Sequence, residues 1–261
     1  MSNDPLFDVH GKVAVVTGGS RGIGKMIAAG LVDRGVRVYI SGRKADQVEA
    51  SAAELAARGE CHGIAADVSS EAGAARLAEA VSEREGALHI LINNAGTAWG
   101  APLEEYPEAG FDKVLGTNVK GPFFVTQKLL PLLRAAAQPD DPARIVNIGS
   151  VDALLTPQQA NYAYSASKAA VHWLTRHLAQ ELISQHILVN AIAPGLFRTK
   201  MTEYLFTDDS VEAQIAATIP AHRLGRQDDI AGTVVYLCSR AGSYVTGAVL
   251  PVGGGIEVLR A

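Results

Sequence analysis

The sequence is poor in several things, and each scarcity excludes something. It has 2 cysteines in 261 residues, and Cys61 and Cys238 lie far apart and match no metal-ligand spacing. They read as two buried or idle thiols in a reducing compartment, and no metal is expected. Charged residues make up only 19% and the net charge is −4, so no basic patch invites nucleic acid or an anionic membrane surface. The segment Met1 to Gly11 has no cationic start and no apolar stretch of signal-peptide length. The longest apolar runs, such as Val13 to Val16, fall far short of the roughly 20 residues that cross a bilayer. The expectation is a soluble, cytoplasmic protein with a small-molecule partner.

What is present is a globular composition, 48% apolar, in which short β-branched runs alternate with amphipathic stretches. That alternation is the pattern of βαβ units around a parallel sheet. Val13–Val16 reads as a first strand, and Ile23, Ile27 and Leu31 recur at four-residue steps on one face of a helix that Gly35 closes. Val36–Ser41, Gly63–Ala66, Leu88–Ile92, Arg144–Ile148, Ile187–Ile192 and Val249–Val252 read as further strands. Helices are expected from about Asp46 to Gly59, around Leu77 and Val81, in two stretches across 104–137, over 160–184 and over 227–239. The fold class is α/β: one Rossmann-type, doubly wound parallel sheet of about seven strands with helices on both faces. The loop at Pro139 to Ala143 breaks no rhythm, so residues 1–261 read as a single domain. Only residues 196–226 lack a rhythm, and such a block between sheet elements reads as a lid over a site.

Thr17-Gly18-Gly19-Ser20-Arg21-Gly22-Ile23-Gly24 joins the first strand to the first helix. In that setting Gly18, Gly22 and Gly24 permit a tight turn and close approach of backbone to a pyrophosphate at the helix N-terminus. The spacing departs from G-x-G-x-x-G. The acid expected about 20 residues on, to bind the ribose 2′-hydroxyl of NAD, is replaced by Ser41-Gly42-Arg43-Lys44. Arg43 with Arg21 would clamp a 2′-phosphate, which favours NADP(H) over NAD(H).

Tyr164 and Lys168 stand four apart in the long helix and so share a face. Asn94, Ala95 and Gly96 follow the fourth strand, Asn118 sits in a helix, Ser150 ends the fifth strand, and Pro194 and Gly195 close the sixth. Most of these lie at carboxyl ends of strands, where open α/β sheets bind ligands. A tyrosine beside an ammonium can serve as the acid for a carbonyl becoming an alcohol, and Lys168 is expected to lower the phenol's pKa.

In these motifs, their order and their spacing, the chain resembles the short-chain dehydrogenase/reductase family over nearly its whole length. The resemblance adds Asp67-Val68, Thr199, Leu224-Gly225-Arg226 and Val245-Thr246-Gly247. It implies Asp67 and Val68 at the adenine, Asn94 to Gly96 along the cofactor and Thr199 at the carboxamide. It also implies catalysis by Ser150, Tyr164, Lys168 and Asn118, the last anchoring a relay water. A homotetramer or homodimer built through the long helices is implied too.

The chain is similar to the family's 3-oxoacyl reductases from Ala160 to Ala170. The walls expected around the substrate are largely apolar: Trp99, Leu154, Leu155, Met201, Tyr204 and Tyr162, which has no lysine four residues on. Trp99, Met201 and Tyr204 read equally well as pocket or as packing. Two departures stand out. The fatty-acid branch uses basic residues to dock its carrier protein where this chain has Asp140, Asp141 and Gln185, and the family's acid is missing from Val252-Gly253-Gly254-Gly255. The expected reaction is NADP(H)-dependent interconversion of a carbonyl and a secondary alcohol, on a 3-oxoacyl group or hydrophobic ketone. The alternatives are an alcohol, polyol or steroid dehydrogenase and a non-enzymatic NADP-binding regulator.

Overall fold

The computed structural model describes residues 4–157 and 159–258, so the first three residues of the Met1 to Gly11 segment lie outside it. Seven strands run in chain order: β1 (Val13–Thr17), β2 (Arg37–Gly42), β3 (Cys61–Ala65), β4 (Ile90–Asn93), β5 (Ala143–Ile148), β6 (Ile187–Pro194) and β7 (Val249–Val252). They form one sheet in the order β3-β2-β1-β4-β5-β6-β7, parallel throughout. β1, β4, β5 and β6 are buried along their entire lengths, as parallel strands covered on both faces must be.

The helices are α1 (Gly22–Val32), α2 (Ala45–Ala56), α3 (Glu71–Ser82), α4 (Glu108–Leu115), α5 (Gly121–Ala136), α6 (Tyr162–Leu182), α7 (Asp209–Ala217) and α8 (Gln227–Cys238). Because side chains alternate along a strand, β1 feeds two separate cores. Ala14 and Val16 pack with Ile27 and Leu31 of α1 and with Ile230 and Val234 of α8. Val13 and Val15 pack on the other face with Leu77 of α3 and Leu129 of α5.

The strands and helices read from the sequence are all found, with boundaries moved by one to a few residues. Two local features differ. A π-helical turn, Gly116–Lys120, joins α4 to α5 and turns Asn118 into the interior. The block 196–226 contains α7, none of whose residues is buried. With no face turned to a core, it has no apolar stripe to betray it in sequence.

Strand order reverses between β2-β1 and β4-β5, so α1 and α2 pass to one face and α3 to α6 to the other. The divergence opens a crevice at the carboxyl edge. The turn after β3 borders that crevice and is held by close packing: a Cβ placed on Gly73 of α3 would lie 1.8 Å from the Asp67 carbonyl oxygen. Gly73→Ala must displace this turn and is expected to destabilise the protein by about 1–3 kcal/mol. Thermal unfolding should show a fall in Tm of several degrees, and an unchanged Tm would mean that the turn yields freely.

Candidate active site

The loops after β1, β4, β5 and β6 surround a cavity of about 460 Å³. At its floor, the Thr17 hydroxyl donates to the Ile92 carbonyl at 3.3 Å and accepts the backbone N–H groups of Asn94 and Ala95, each at 3.0 Å. Asn94 Nδ2 returns two bonds, to the carbonyls of Thr17 at 2.8 Å and Gly18 at 3.2 Å. This knot leaves no room for side chains in the glycine-rich turn. A Cβ on Gly24 would sit 2.3 Å from Asn94 Nδ2, and Gly22 holds φ +53°, a conformation other residues rarely adopt.

Every cofactor-binding residue expected from the sequence lines this one cavity, from Gly18, Ser20, Arg21, Gly22, Ile23 and Gly24 through Arg43, Asp67, Val68 and Asn94–Gly96 to Pro194, Gly195 and Thr199. Ser150, Tyr164 and Lys168 line it too. Asn118 lies behind it. Its Nδ2 donates to the Thr97 carbonyl at 3.0 Å and to Ser167 Oγ at 2.9 Å, while its Oδ1 accepts from Thr97 N–H at 2.9 Å. Its amide clamps the loop after β4 to helix α6.

Of the six expected substrate-lining residues, Met201 lines the cavity. The other five are not among its lining residues. Trp99 packs on α4, with Lys113 Nζ 5.3 Å from its ring centre. Tyr162 meets Tyr106 edge to face at 5.7 Å. Leu154 and Tyr204 are largely exposed, and Leu155 is half-buried.

Ser150 caps a short 3-10 turn, its Oγ accepting the Asp152 N–H at 3.1 Å. That leaves the hydroxyl proton free for the Tyr164 phenol beside it. Lys168 is buried, and its Nζ donates to the Ile148 carbonyl at 2.7 Å. Burial pushes the Tyr164 phenol up to about 12, partly opposed by Ser150. The lowering expected from Lys168 together with an oxidised nicotinamide is therefore not what the protein's own groups give: desolvation dominates and the Asp152 charge adds to the rise. The same burial brings the Lys168 ammonium down to about 8.

Residues the sequence reading passed over also border the cavity: Ser41, whose hydroxyl is buried without a partner, together with Thr97, Lys200 and Thr202. Ser167 stands behind Tyr164, donating to its carbonyl at 2.7 Å. The three-residue step from Tyr164 to Ser167 was the available signal, since it puts both on one helix face.

A glycine-lined cleft at the reversal point of a parallel sheet, facing a half-buried tyrosine and a buried lysine, defines a nucleotide-dependent oxidoreductase. Comparison with known proteins agrees. A family model described as enoyl-(acyl carrier protein) reductase matches residues 18–257. The chain is 48% identical over 254 residues to the rhamnolipids biosynthesis 3-oxoacyl-[acyl-carrier-protein] reductase of Pseudomonas aeruginosa, spanning 97% of this chain and 99% of that one. It is 37% identical over 259 residues to the gluconate 5-dehydrogenase of Gluconobacter oxydans, covering 99% of each. Among solved structures, the Pseudomonas aeruginosa RhlG/NADP active-site complex superposes with a TM-score of 0.94 at 49% identity, over 97% of this chain and 99% of that one. The chain belongs to the short-chain dehydrogenase/reductase family and is an oxidoreductase of that family.

Because the lysine is protonated in the folded protein only below about pH 8, but up to about 10.4 in an unfolded chain, its burial opposes folding fully below pH 8. The penalty fades as pH rises through that window. Lys168→Met should therefore abolish turnover yet stabilise the protein at pH 7 by about 1–2 kcal/mol, once the lost bond to Ile148 is counted. Denaturant unfolding should show the gain shrinking toward pH 10.5. A variant less stable than wild type at pH 7 would overturn this account.

Proposed function

We propose that the protein is an NADPH-dependent reductase that converts a hydrophobic ketone, foremost a 3-oxoacyl group, to the secondary alcohol. The observation that carries the reading is the meeting of Ser150, Tyr164 and Lys168 at the mouth of the glycine cradle. The cradle suits a dinucleotide. Gly18, Gly22 and Gly24 line it with bare backbone, and the first turn of α1 holds no acidic residue to oppose an anion. Ser41 offers an unpartnered hydroxyl, and Arg21 and Arg43 line the same cavity as candidates to hold a 2′-phosphate. The relatives support this: one is named a 3-oxoacyl reductase and the solved neighbour is an NADP complex.

When bound, NADPH supplies a hydride to the carbonyl carbon. The protein supplies the proton and the geometry. Ser150 Oγ, its lone pair already engaged by Asp152 N–H, donates to the carbonyl oxygen. Tyr164 gives that oxygen its phenolic proton as the alcohol forms. Lys168 spends one N–H on Ile148 and keeps two for the nicotinamide ribose hydroxyls. Asp67 and Val68 would hold the adenine, and Pro194, Gly195 and Thr199 would hold the nicotinamide end; all five line the cavity. Asn118 keeps the loop and helix in register.

We further place the working form as a homotetramer or homodimer in which a second copy covers the apolar groove along α5 and α6. That groove is lined by Leu115, Val119, Phe123, Phe124, Ala170 and Leu174, and the large exposed ring of Trp173 lies on the same helix pair. One patch facing its own copy about a two-fold axis buries both. Light scattering should give a mass of two or four chains, and a monomer would remove this part of the reading. The two buried, unpaired cysteines suit a reducing cytoplasm.

Tyr164→Phe should lower kcat for reduction of 3-oxoacyl thioesters by about 10²–10⁴-fold while NADPH binding persists. Turnover retained by the variant would sink the assigned role. Arg43→Asp should raise the KM for NADPH by at least about tenfold and leave NADH little affected. Equal losses for the two cofactors would dismiss the clamp.

A further inference from the structure

One buried imidazole on the helix that carries Tyr164 and Lys168 has no part in the chemistry above. His172 follows Lys168 by four residues and Tyr164 by eight, so the three share one face of α6. It is 8% exposed, and its Nε2 has no hydrogen-bond partner among the described residues. The ring stands against the backbone of Gly149. A Cβ placed on that glycine would lie 2.0 Å from Nε2, 2.5 Å from Cδ2 and 3.3 Å from Cε1 of His172. The imidazole thus fills the space that a side chain at 149 would need.

Gly149 is the middle of three residues that line the cavity together, Ile148, Gly149 and Ser150. Both of its neighbours are held by α6. The Ile148 carbonyl accepts Lys168 Nζ at 2.7 Å, and the Ser150 hydroxyl meets the Tyr164 phenol. Gly149 itself donates its N–H to the Ile192 carbonyl of β6 at 2.7 Å, which ties it sideways to the sheet. On the side where its Cβ would stand, its three nearest atoms all belong to His172. A residue without a side chain moves easily, and any shift of Gly149 carries the carbonyl before it and the hydroxyl after it. The ring suits the place electrostatically. Burial, then Lys168 and Arg176, lower its pKa to about 4, so at pH 7 it is neutral and adds no charge beside the Lys168 ammonium.

Resting on the reductase reading, we propose that His172 is a positioning residue: its ring is the stop against which Gly149 rests, and it sets how far Ser150 stands from Tyr164 and the Ile148 carbonyl from Lys168. It touches neither substrate nor cofactor and acts only through Gly149. The two form a matched pair, in which bare backbone on the strand end and an imidazole on the helix each require the other. Transfer of a proton between held groups is sensitive to displacements of about 1 Å. Loss of the stop therefore falls on the chemical step, while the cradle after β1 still binds the dinucleotide.

The test uses the full chain with NADPH and ethyl acetoacetate. His172→Ala should lower kcat at least about tenfold, while the Kd for NADPH, measured by calorimetry, changes less than about twofold. Gly149→Ala drives a methyl group into the ring and should lower kcat further. In the double variant the new methyl takes the space the imidazole leaves, so activity should rise at least about tenfold above Gly149→Ala alone. Where Gly149→Ala does not fold, recovery of folded protein in the double variant is the same rescue. His172→Asn, a smaller change, should give a kcat between those of wild type and His172→Ala. A kcat within about twofold of wild type in both His172 variants, or a double variant no better than Gly149→Ala, overturns the proposal. Amide hydrogen exchange across residues 148–153 reads the stop without turnover and should be faster in His172→Ala. Faster exchange in the variant of a protein that reduces no ketone would count against the reductase reading and leave the stop standing. Unchanged exchange would count against the stop.

Discussion

A single hydroxyl fastens the two halves of the sheet where they part. At the end of β1, Thr17 holds the peptide of the loop after β4 through its Oγ, and Asn94 answers by gripping the carbonyls of Thr17 and Gly18. The strands on either side lead to helices on opposite faces, so these side-chain bonds carry the tie past the last paired residues of β1 and β4. The glycines at 18 and 24 follow from this grip. Their lack of side chains is what lets Asn94 reach in, and their bare backbone then forms the cavity wall. The cradle and the knot are one feature, built from buried hydrogen bonds that would be expensive to leave unmade.

The catalytic pair sits in the same crevice under an electrostatic contradiction. Burial opposes charge on both groups. It drives the Tyr164 phenol toward its neutral form and the Lys168 ammonium toward its own neutral form. A neutral phenol is the right state for donating a proton during reduction. The reverse reaction, oxidation of an alcohol, needs the phenolate, which this environment resists in the absence of added positive charge. An opposite charge placed near the phenol would ease its ionisation.

Much of this was legible in the sequence because the signals were local. Continuous β-branched runs such as Val13–Val16 mark strands buried on both faces, and Ile23, Ile27 and Leu31 mark a helix with one buried stripe. The cofactor wall was legible for a related reason. Strand ends are fixed by the runs before them, so Gly18, Asn94, Ser150 and Pro194 had to come to one edge. Contacts between elements were not legible. Trp99 turned to α4 because Gly110 leaves a flat place for its ring, and no spacing in the sequence announces such a pairing. The sign of the Tyr164 shift was missed for the same kind of reason. The lysine four residues away is visible in the chain, whereas the desolvation that raises the phenol's pKa comes from the fold.

The block that gave no periodic signal shows what that silence means physically. Between Leu196 and Arg226, Phe197, Phe206 and Ile219 are buried, and Phe197 bridges to Gly225 at the far end of the block. Everything between these anchors is partly or fully exposed, including all of α7. A segment held at a few points with little apolar area between them opens at small free-energy cost while the sheet stays closed. Thr199, Lys200, Met201 and Thr202 lie on this strap and line the cavity, so its movement would widen or narrow the site directly. A stronger amphipathic stripe on α7 would have made the helix easy to read and would also have glued it to the core. The weak burial that hid it is the property that suits a cover over a site that must admit and release its substrate.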